Sequence, residues 1–574
     1  MARSSLSLVF AGSGGSGAMT AGTLFLRAAA RAGYFGVMTQ LFGAQVRGGE
    51  SAALVQFSNE PIECQPDRFD VFFAIDWDKV DQFAAEIPLD KNSVVISDPS
   101  AGAIPASIAK SKPRALSVVM SDPTMTRLAR AMRSKRSNVF VAGLAGTLAG
   151  IAAAELRAAL EAVLGHKSDE VMAANAAALE NGIKAAASID LDLRVAEPEP
   201  KHESRWLITG NEAIGLGALR GGIKFVGCYP ITPATDLVEW LSPRLHSLGG
   251  RLILAEDELA SINMVLGASY GGWPAMTVTA GPGLSLMTEA IGLGVAAEIP
   301  AVVVDVMRAG PSTGIASKTE QSDLNIAIYG AHGDAPRIVI APLSVGDCIT
   351  TGEWAIYVAE ALQTPVIVLS DQMIGQAQAI IPSAAKRPEP MKRRTNGGAP
   401  GAQFKRYEVT ANPISRMPLP GTKGYEWVAE GLTHNEAGLP VSGASAHVAQ
   451  INKRAKKIEQ FDPGELWGEV FGHGDTAILT FGSSVAPARE AARRLTATGR
   501  ATRVIALRVL SPVPVKPLAA ALKGVRRGVV LEQNHSGQLY RHLLGQKAIP
   551  ISTESIARPG PLPFRPAEIT SHIA

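Results

Sequence analysis

The residues with the most chemical promise lie mid-chain, each just beyond a short apolar run. Glu256-Asp257-Glu258 follows RLILA and opens the helical stretch LASINMVLGASYGG. A helix dipole favours acids in the first turn by at most about 1 kcal/mol at exposed sites, which accounts for one or two of the three. Tyr229-Pro230-Ile231-Thr232-Pro233 follows IKFVGC and precedes ATDLVEWL. Thr232 is placed to be a helix N-cap with Pro233 at the first helical position, or to offer its hydroxyl to a carboxylate. Gly281-Pro282-Gly283 opens a further turn after AMTVTA, and Arg308 follows AVVVDVM. An arginine heading a loop such as GPSTGIASKTEQSD suits anion binding, and Lys318 in the same loop supplies a second cation. Ala260, Gly267, Ala268, Gly271 and Gly272 make one helix small-faced, which predicts close packing against it.

A second glycine cluster stands near the start, Gly12-Ser13-Gly14-Gly15-Ser16-Gly17, between LSLVFA and a helical run. It fits the pattern G-x-G-x-x-G, in which glycines let a backbone approach a phosphate at a helix N-terminus. A nicotinamide-dinucleotide site also needs a ribose-binding acid some 20 residues further on, and none occurs before Glu50. The same glycines also serve a tight turn, or a different phosphate-bearing ligand, with Arg47-Gly48-Gly49 as a second contact.

These residues presuppose strands that end where helices begin. IKFVGCY, RLILAE, AMTVTA, AVVVDVM, RIVIAP and PVIVLS are short β-branched runs separated by helical segments, the pattern of a parallel sheet covered on both faces. LSLVFAG, AALVQFS, VFFAID and SVVISD repeat it before a long helical stretch from Leu144 to Ala187, and TAILTFG, TRVIALRVL and GVVLEQN repeat it at the end. Three tandem α/β units follow: residues 1–195, 205–382 and 475–574, with a Pro/Glu-rich linker at 196–204. Residues 383–474 read as a connecting region, because KRPEPMKRRTNGGAPGAQFKR carries seven basic residues and one acid among prolines and glycines, as an exposed, solvated linker would.

Bulk composition bounds the alternatives. A 574-residue chain exceeds one hydrophobic core, and 46% hydrophobic with 19% charged residues suits buried α/β domains. A net charge of +3 gives no general attraction for nucleic acid or membrane. Cys64, Cys228 and Cys348 are too few for a four-thiolate cluster and form no C-x-x-C pair, so no metal site is expected here and a cytoplasmic location is. No uninterrupted apolar run reaches membrane-spanning length.

The run from Trp206 to Gln372 resembles the pyrimidine-binding domain of thiamine-diphosphate enzymes, and more closely the alpha subunit of 2-oxoacid:ferredoxin oxidoreductases. The resemblance rests on GNEAIGLGALRGGIKFVGCYPITPATDL, AEDELASINMVLGASYGG, TVTAGPGLSLMTEAIGL and VDVMRAGPSTG-x3-KTEQSDL. GSGGSG, Arg47-Gly48-Gly49-Glu50-Ser51 and NVFVAGLAG resemble that family's gamma domain, and LRVLSPVPV with VVLEQNHSGQL its final, transketolase-C-like domain. The order is gamma then alpha.

The resemblance implies roles. Glu258, with Glu256 and Asp257 as rivals, matches the glutamate that contacts the cofactor's aminopyrimidine. Tyr229, Pro230, Ile231, Gly281 and Gly283 would line the cofactor, Thr232 and Arg308 would hold the 2-oxoacid carboxylate, and Lys318 would serve a dicarboxylic substrate. Gly14, Gly15, Gly17 and Arg47 become coenzyme A contacts. The family's G-D-G…Asn motif for magnesium and diphosphate has no match, since no asparagine follows Gly333-Asp334-Ala335 or Gly474-Asp475-Thr476 at the needed distance. A beta subunit is therefore expected to bring magnesium, diphosphate contacts and an iron–sulfur cluster, so that thiamine diphosphate is shared. The implied reaction is oxidative decarboxylation of 2-oxoglutarate with coenzyme A and ferredoxin. Pyruvate, branched-chain oxoacids and indolepyruvate are the alternative substrates, and a scaffolding subunit or a nicotinamide-dependent dehydrogenase the alternative classes.

Overall fold

The computed structural model describes residues 3–43, 49–120, 137–198, 205–383, 387–395 and 404–574. They form two compact units: Met1–Thr209 with Gln376–Ala384 and Arg565–Ser571, and Gly210–Gly375 with Ala385–Phe564 and His572–Ala574.

The first unit is built on an eight-stranded mixed sheet in the order Arg114–Ser117, Val94–Ser97, Val71–Ala74, Ser5–Ser13, Glu50–Ser58, Phe35–Phe42, Gln378–Pro382, Arg205–Thr209. The first four strands are parallel, and the rest pair antiparallel, with Ser5 opposite Ser58. Both faces are covered: successive Phe72 and Phe73 point into different cores, one with Phe69 and Phe83, the other with Phe10, Phe25 and Phe57. Full burial of each such ring contributes about 1.5–3 kcal/mol. Arg205–Thr209 and Gln378–Pro382 were expected in the middle segment, but they pair with each other and extend this first sheet. Hydrogen bonding between strands far apart in sequence leaves no mark on local composition. The long helical stretch is three helices, Ser137–Leu148, Ala153–Leu164 and Asp169–Ala186.

The second unit holds a seven-stranded sheet in the order Val509–Ser511, Ile338–Ile340, Pro365–Asp371, Ala301–Met307, Ala275–Thr279, Phe225–Cys228, Arg251–Leu254. All its strands are parallel except Val509–Ser511. Helix Gly210–Arg220 lies directly on helix Asp347–Leu362, where a Cβ at Gly217 would stand 2.2 Å from the Ile349 carbonyl oxygen. A five-stranded sheet follows, ordered Gly468–Phe471, Thr502–Leu507, Thr476–Thr480, Arg527–Glu532, Glu554–Ala557. The run TRVIALRVL thus divides between two sheets at Arg508, which is 2% exposed and ion-paired to Asp347 at 2.8 Å.

The basic connection is not a solvated linker where it is described. Arg393 is buried against Glu360, with Nη2 to Oε1 at 2.7 Å, and Arg406 is fully buried beside the Tyr407 and Trp427 rings. Further along, helix Ala444–Glu459 sends Lys453 and Lys457 into ion pairs with the fully buried Glu298. Composition counts charges, but it does not say which acid each base will meet. Buried charges need such partners, because an unpaired one costs several kcal/mol.

Candidate functional site

Four neighbouring strands of the seven-stranded sheet end side by side, and Tyr229–Pro233, Glu256–Glu258, Gly281–Gly283 and Arg308 each lie just past one of those ends. In parallel α/β sheets this carboxyl edge is where ligand crevices form.

The three acids after Arg251–Leu254 prove to have three different situations. Glu256 is exposed. Asp257 is the N-cap of helix Glu258–Tyr270 and accepts from the Ala260 amide at 2.7 Å, a role worth about 1 kcal/mol. Glu258 is 7% exposed, and no hydrogen-bond donor among the described residues reaches its carboxylate. That carboxylate is pressed against Gly283, where a Cβ would stand 2.6 Å from Glu258 Cγ, 2.7 Å from Glu258 Oε1 and 2.1 Å from Thr279 Oγ1. Glycine is required there by space. Gly281 behaves alike, its absent side chain replaced by the Asp323 carboxylate, with Oδ2 2.6 Å from where a Cβ would be.

Beyond Phe225–Cys228, Tyr229 is 41% exposed and Thr232 is exposed. The N-cap expectation for Thr232 fails: the helix runs Thr235–Ser247, its N-cap position is Ala234, and no side chain caps it. The Ala234 and Thr235 amides bond Ile231 O instead, at 2.8 and 3.1 Å, so the turn is closed by backbone alone. The Thr232 carbonyl accepts from Arg308 Nη1 at 2.6 Å, bringing these two residues together. Arg308 is 8% exposed, and its Nε is buried without a partner among the described residues. Burial pulls the guanidinium below its ordinary value, opposed by the charges of Asp323 and Asp305.

Lys318 joins Arg308 through the loop backbone, its carbonyl accepting from the Ala309 amide at 2.9 Å. The tight return needs Gly314, at φ 52, where a Cβ would overlap the Ala309 carbonyl. The far end of the loop is fixed by Gln321, which is fully buried. Its side chain donates to Phe481 O at 2.8 Å and accepts from the Gln533 amide at 2.9 Å, and its own amide donates to Gln533 O at 2.7 Å. The five-stranded sheet therefore sets the conformation of the Arg308 loop. Gln321, Asp305 and Asp323 escaped the sequence reading. Asp305 was detectable in principle as a single acid inside the apolar run AVVVDVM.

The expected close packing is met at one end of the small-residue run only: a Cβ on Gly272 would stand 2.3 Å from Leu419 Cδ2, whereas nothing lies within 4 Å of where a Cβ on Gly267 would be. In the first unit, Gly17 is the N-cap position of helix Ala18–Arg31 at φ 85, and Gly15 has φ 97. The loop's donors are largely engaged: Ser13 N and Oγ bond the Asp76 carboxylate at 2.8 and 2.9 Å, and the Gly14 amide bonds Gly49 O at 2.6 Å. Arg47 lies outside the described residues. Among the described residues, no helix is long and apolar enough to cross a membrane.

Comparison with known proteins accounts for the same stretches. The family "Pyruvate ferredoxin/flavodoxin oxidoreductase" matches residues 7–185, "Pyruvate flavodoxin/ferredoxin oxidoreductase, thiamine diP-bdg" residues 216–453, and "Transketolase, C-terminal domain" residues 472–538. The second match reaches well into the supposed connecting region. A 2-oxoacid:ferredoxin oxidoreductase alpha subunit of Aeropyrum pernix is 36% identical over 372 residues, 60% of this chain and 56% of that protein, so the chain spans little more than half of that relative. The 2-oxoglutarate synthase subunit KorA of Methanothermobacter marburgensis is 31% identical over 64% of this chain and 98% of its own length. A solved structure, 2-oxoglutarate:ferredoxin oxidoreductase from Magnetococcus marinus with 2-oxoglutarate, coenzyme A and succinyl-CoA bound, superposes with a TM-score of 0.89 at 35% identity, over 100% of this chain and 99% of that one.

Proposed function

Because the chain belongs to the 2-oxoacid:ferredoxin oxidoreductase family, we propose that it is the thiamine-diphosphate-side subunit of a cytoplasmic enzyme converting 2-oxoglutarate and coenzyme A to succinyl-CoA and carbon dioxide. The pair of electrons released leaves one at a time to ferredoxin. A beta-type partner supplies magnesium, the diphosphate contacts and the iron–sulfur cluster.

The observation that carries this reading is Glu258, a buried carboxylate without a donor among the described residues, held against a glycine that makes room for it. The residues present fit an aminopyrimidine: Glu258 offers an acceptor, and Gly281, Gly283 and the Tyr229-Pro230-Ile231 loop flank it at the same sheet edge. Thiamine diphosphate, when bound, supplies the carbon nucleophile for the 2-oxo group and the electron sink for the departing carboxylate. Glu258 accepts a hydrogen bond from the cofactor ring and holds its tautomer. Arg308, steadied by the Thr232 carbonyl, keeps its remaining N–H groups for the substrate's C1 carboxylate, with the Thr232 hydroxyl beside it. Fixing that carboxylate turns binding energy into orientation. Lys318 serves the distal carboxylate, which is what favours a dicarboxylic substrate. Gly14, Gly15 and Gly17 with Arg47 take coenzyme A.

The complex purified with its partner is assayed with each 2-oxoacid, coenzyme A and a one-electron acceptor. The expected result is preference for 2-oxoglutarate and loss of decarboxylation in Glu258→Gln with assembly intact. Faster turnover of pyruvate would overturn the substrate assignment, and near-normal rates in Glu258→Gln would leave the chain a scaffold.

A further inference from the structure

Behind Arg308 stands a pair of acids that the reaction above does not use. Asp305 lies within strand Ala301–Met307, is fully buried, and has no hydrogen-bond donor on either carboxyl oxygen among the described residues. Its neighbours across the sheet, Thr279 and Leu369, bring no charge. Asp323 occupies the N-cap position of helix Leu324–Tyr329 yet caps nothing with its side chain. The Asn325 amide that it would serve donates to Gln538 Oε1 instead, at 2.9 Å. Relieved of capping, the Asp323 carboxyl fills the space over Gly281 and faces Asp305, with Oδ2 buried and no donor reaching it.

We propose that Asp305 and Asp323 are a carboxyl pair joined by a shared proton, and that the ionisation of this pair sets the charge Arg308 presents to the 2-oxoacid carboxylate. Both are positioning residues, and the proposal rests on the reading of the site given above.

The physical reason is the lack of donors. Two ionised carboxylates side by side, buried and unsolvated, cost several kcal/mol that no nearby hydrogen bond offsets, so the pair retains a proton. Burial and the charge of Asp323 push Asp305 well above the ordinary carboxylate range. Asp323 is raised to about 7 by burial and by Glu320, with Arg308 acting the other way. Arg308 and Glu320 are the charged groups acting on the pair. Glu258 stands across Gly283 on the neighbouring helix, and His535 faces Glu320. The sign follows. Below neutrality the pair is uncharged and Arg308 carries an uncompensated positive charge. As pH rises through neutrality one proton leaves, a negative charge appears behind the guanidinium, and the pull on the substrate carboxylate weakens. KM for the 2-oxoacid therefore rises with pH, while kcat, governed by Glu258 and its ring contact, does not follow it.

The test has two parts. In the full-length chain, infrared spectra should contain the carbonyl stretch of a protonated carboxyl at neutral pH whose frequency shifts in both Asp305→Asn and Asp323→Asn, because the partner that shares the proton is gone. In the assembled complex, KM for 2-oxoglutarate should rise about tenfold across neutrality, the effect of one unit of coupled shift. That step should vanish from the neutral range in both asparagine variants. Glu320→Gln should keep the step and move it to lower pH, because a repelling charge is gone. An infrared signal unchanged in the variants overturns the pair even if the enzyme is active. A pH-independent KM in the unaltered complex, or a step that persists in both asparagine variants, overturns its link to Arg308. If no 2-oxoacid is turned over at all, the proposed function falls and takes the role of the pair with it.

Discussion

Two glycine-rich turns, one in each unit, join a strand to a helix, and they use glycine for opposite reasons. At Gly12–Gly17 the need is conformational: Gly15 and Gly17 sit at φ 97 and 85, and nothing lies within 4 Å of where a Cβ on Gly15 would be. Ser13 and the Gly14 amide of that turn are engaged by Asp76 and Gly49, while Ser16 Oγ is buried without a partner among the described residues. At Gly281–Gly283 the backbone is helical and the need is room, filled by the carboxylates of Glu258 and Asp323. Among the described residues no donor reaches the Glu258 carboxylate or Asp323 Oδ2, apart from the proton assigned to the Asp323 pair. The first turn thus meets the donors of Ser13 and Gly14 from within the chain and leaves Gly15 and Gly17 for the coenzyme A role proposed above. A turn that crowds acceptors together without donors is built for something that the chain alone does not provide.

Three substitutions test these roles, and the first should cost the most. Gly283→Ala places a methyl against Thr279 Oγ1 and Glu258, where an approach of 2.1 Å to Thr279 Oγ1 cannot be relieved by a flexible side-chain end. A displaced Glu258 should cost about 100-fold in kcat, since misplacement by an ångström has effects of that order. Steady-state rates of the complex, alongside a melting curve, check it, and an active Gly283→Ala enzyme would mean that Glu258 is not held by that contact. Arg308→Lys keeps the charge but loses the fork that serves Thr232 O and a ligand together. KM for the oxoacid should rise roughly tenfold with kcat less affected, because charged hydrogen bonds are worth about 1.5–3 kcal/mol; unchanged KM would remove Arg308 from the carboxylate site. Gly15→Ala, in open space, should cost only about 1 kcal/mol in denaturant unfolding of the chain, the strain of a side chain at positive φ. A large loss of coenzyme A affinity in that variant would show that the first turn is more than conformational.

Much of the fold is legible in the sequence because it is local. AMTVTA, AVVVDVM and PVIVLS each became a buried strand of the parallel sheet, since β-branched runs of that length between turns have few other ways to bury both faces, and RLIL became its exposed edge strand. Phe35–Phe42 was passed over because FGVMTQLF mixes glycine and polar residues, and only its pairing with Glu50–Ser58 makes it a strand. The site was partly legible for the same reason: strand-then-turn placement puts Thr232, Glu258 and Arg308 at one sheet edge whatever else the chain does.

The sequence by itself determined the repeated α/β pattern and the types of residue at the carboxyl edge of the middle sheet, because both follow from periodicity and the nearest few neighbours. Tertiary structure alone decided which of three adjacent acids is buried, that Thr232 grips Arg308 through its carbonyl, and that Asp305 meets Asp323. It also decided that the basic connector is folded into the second unit. Those outcomes depend on burial and on partners distant along the chain, and the energy of a charge is set by what surrounds it in space.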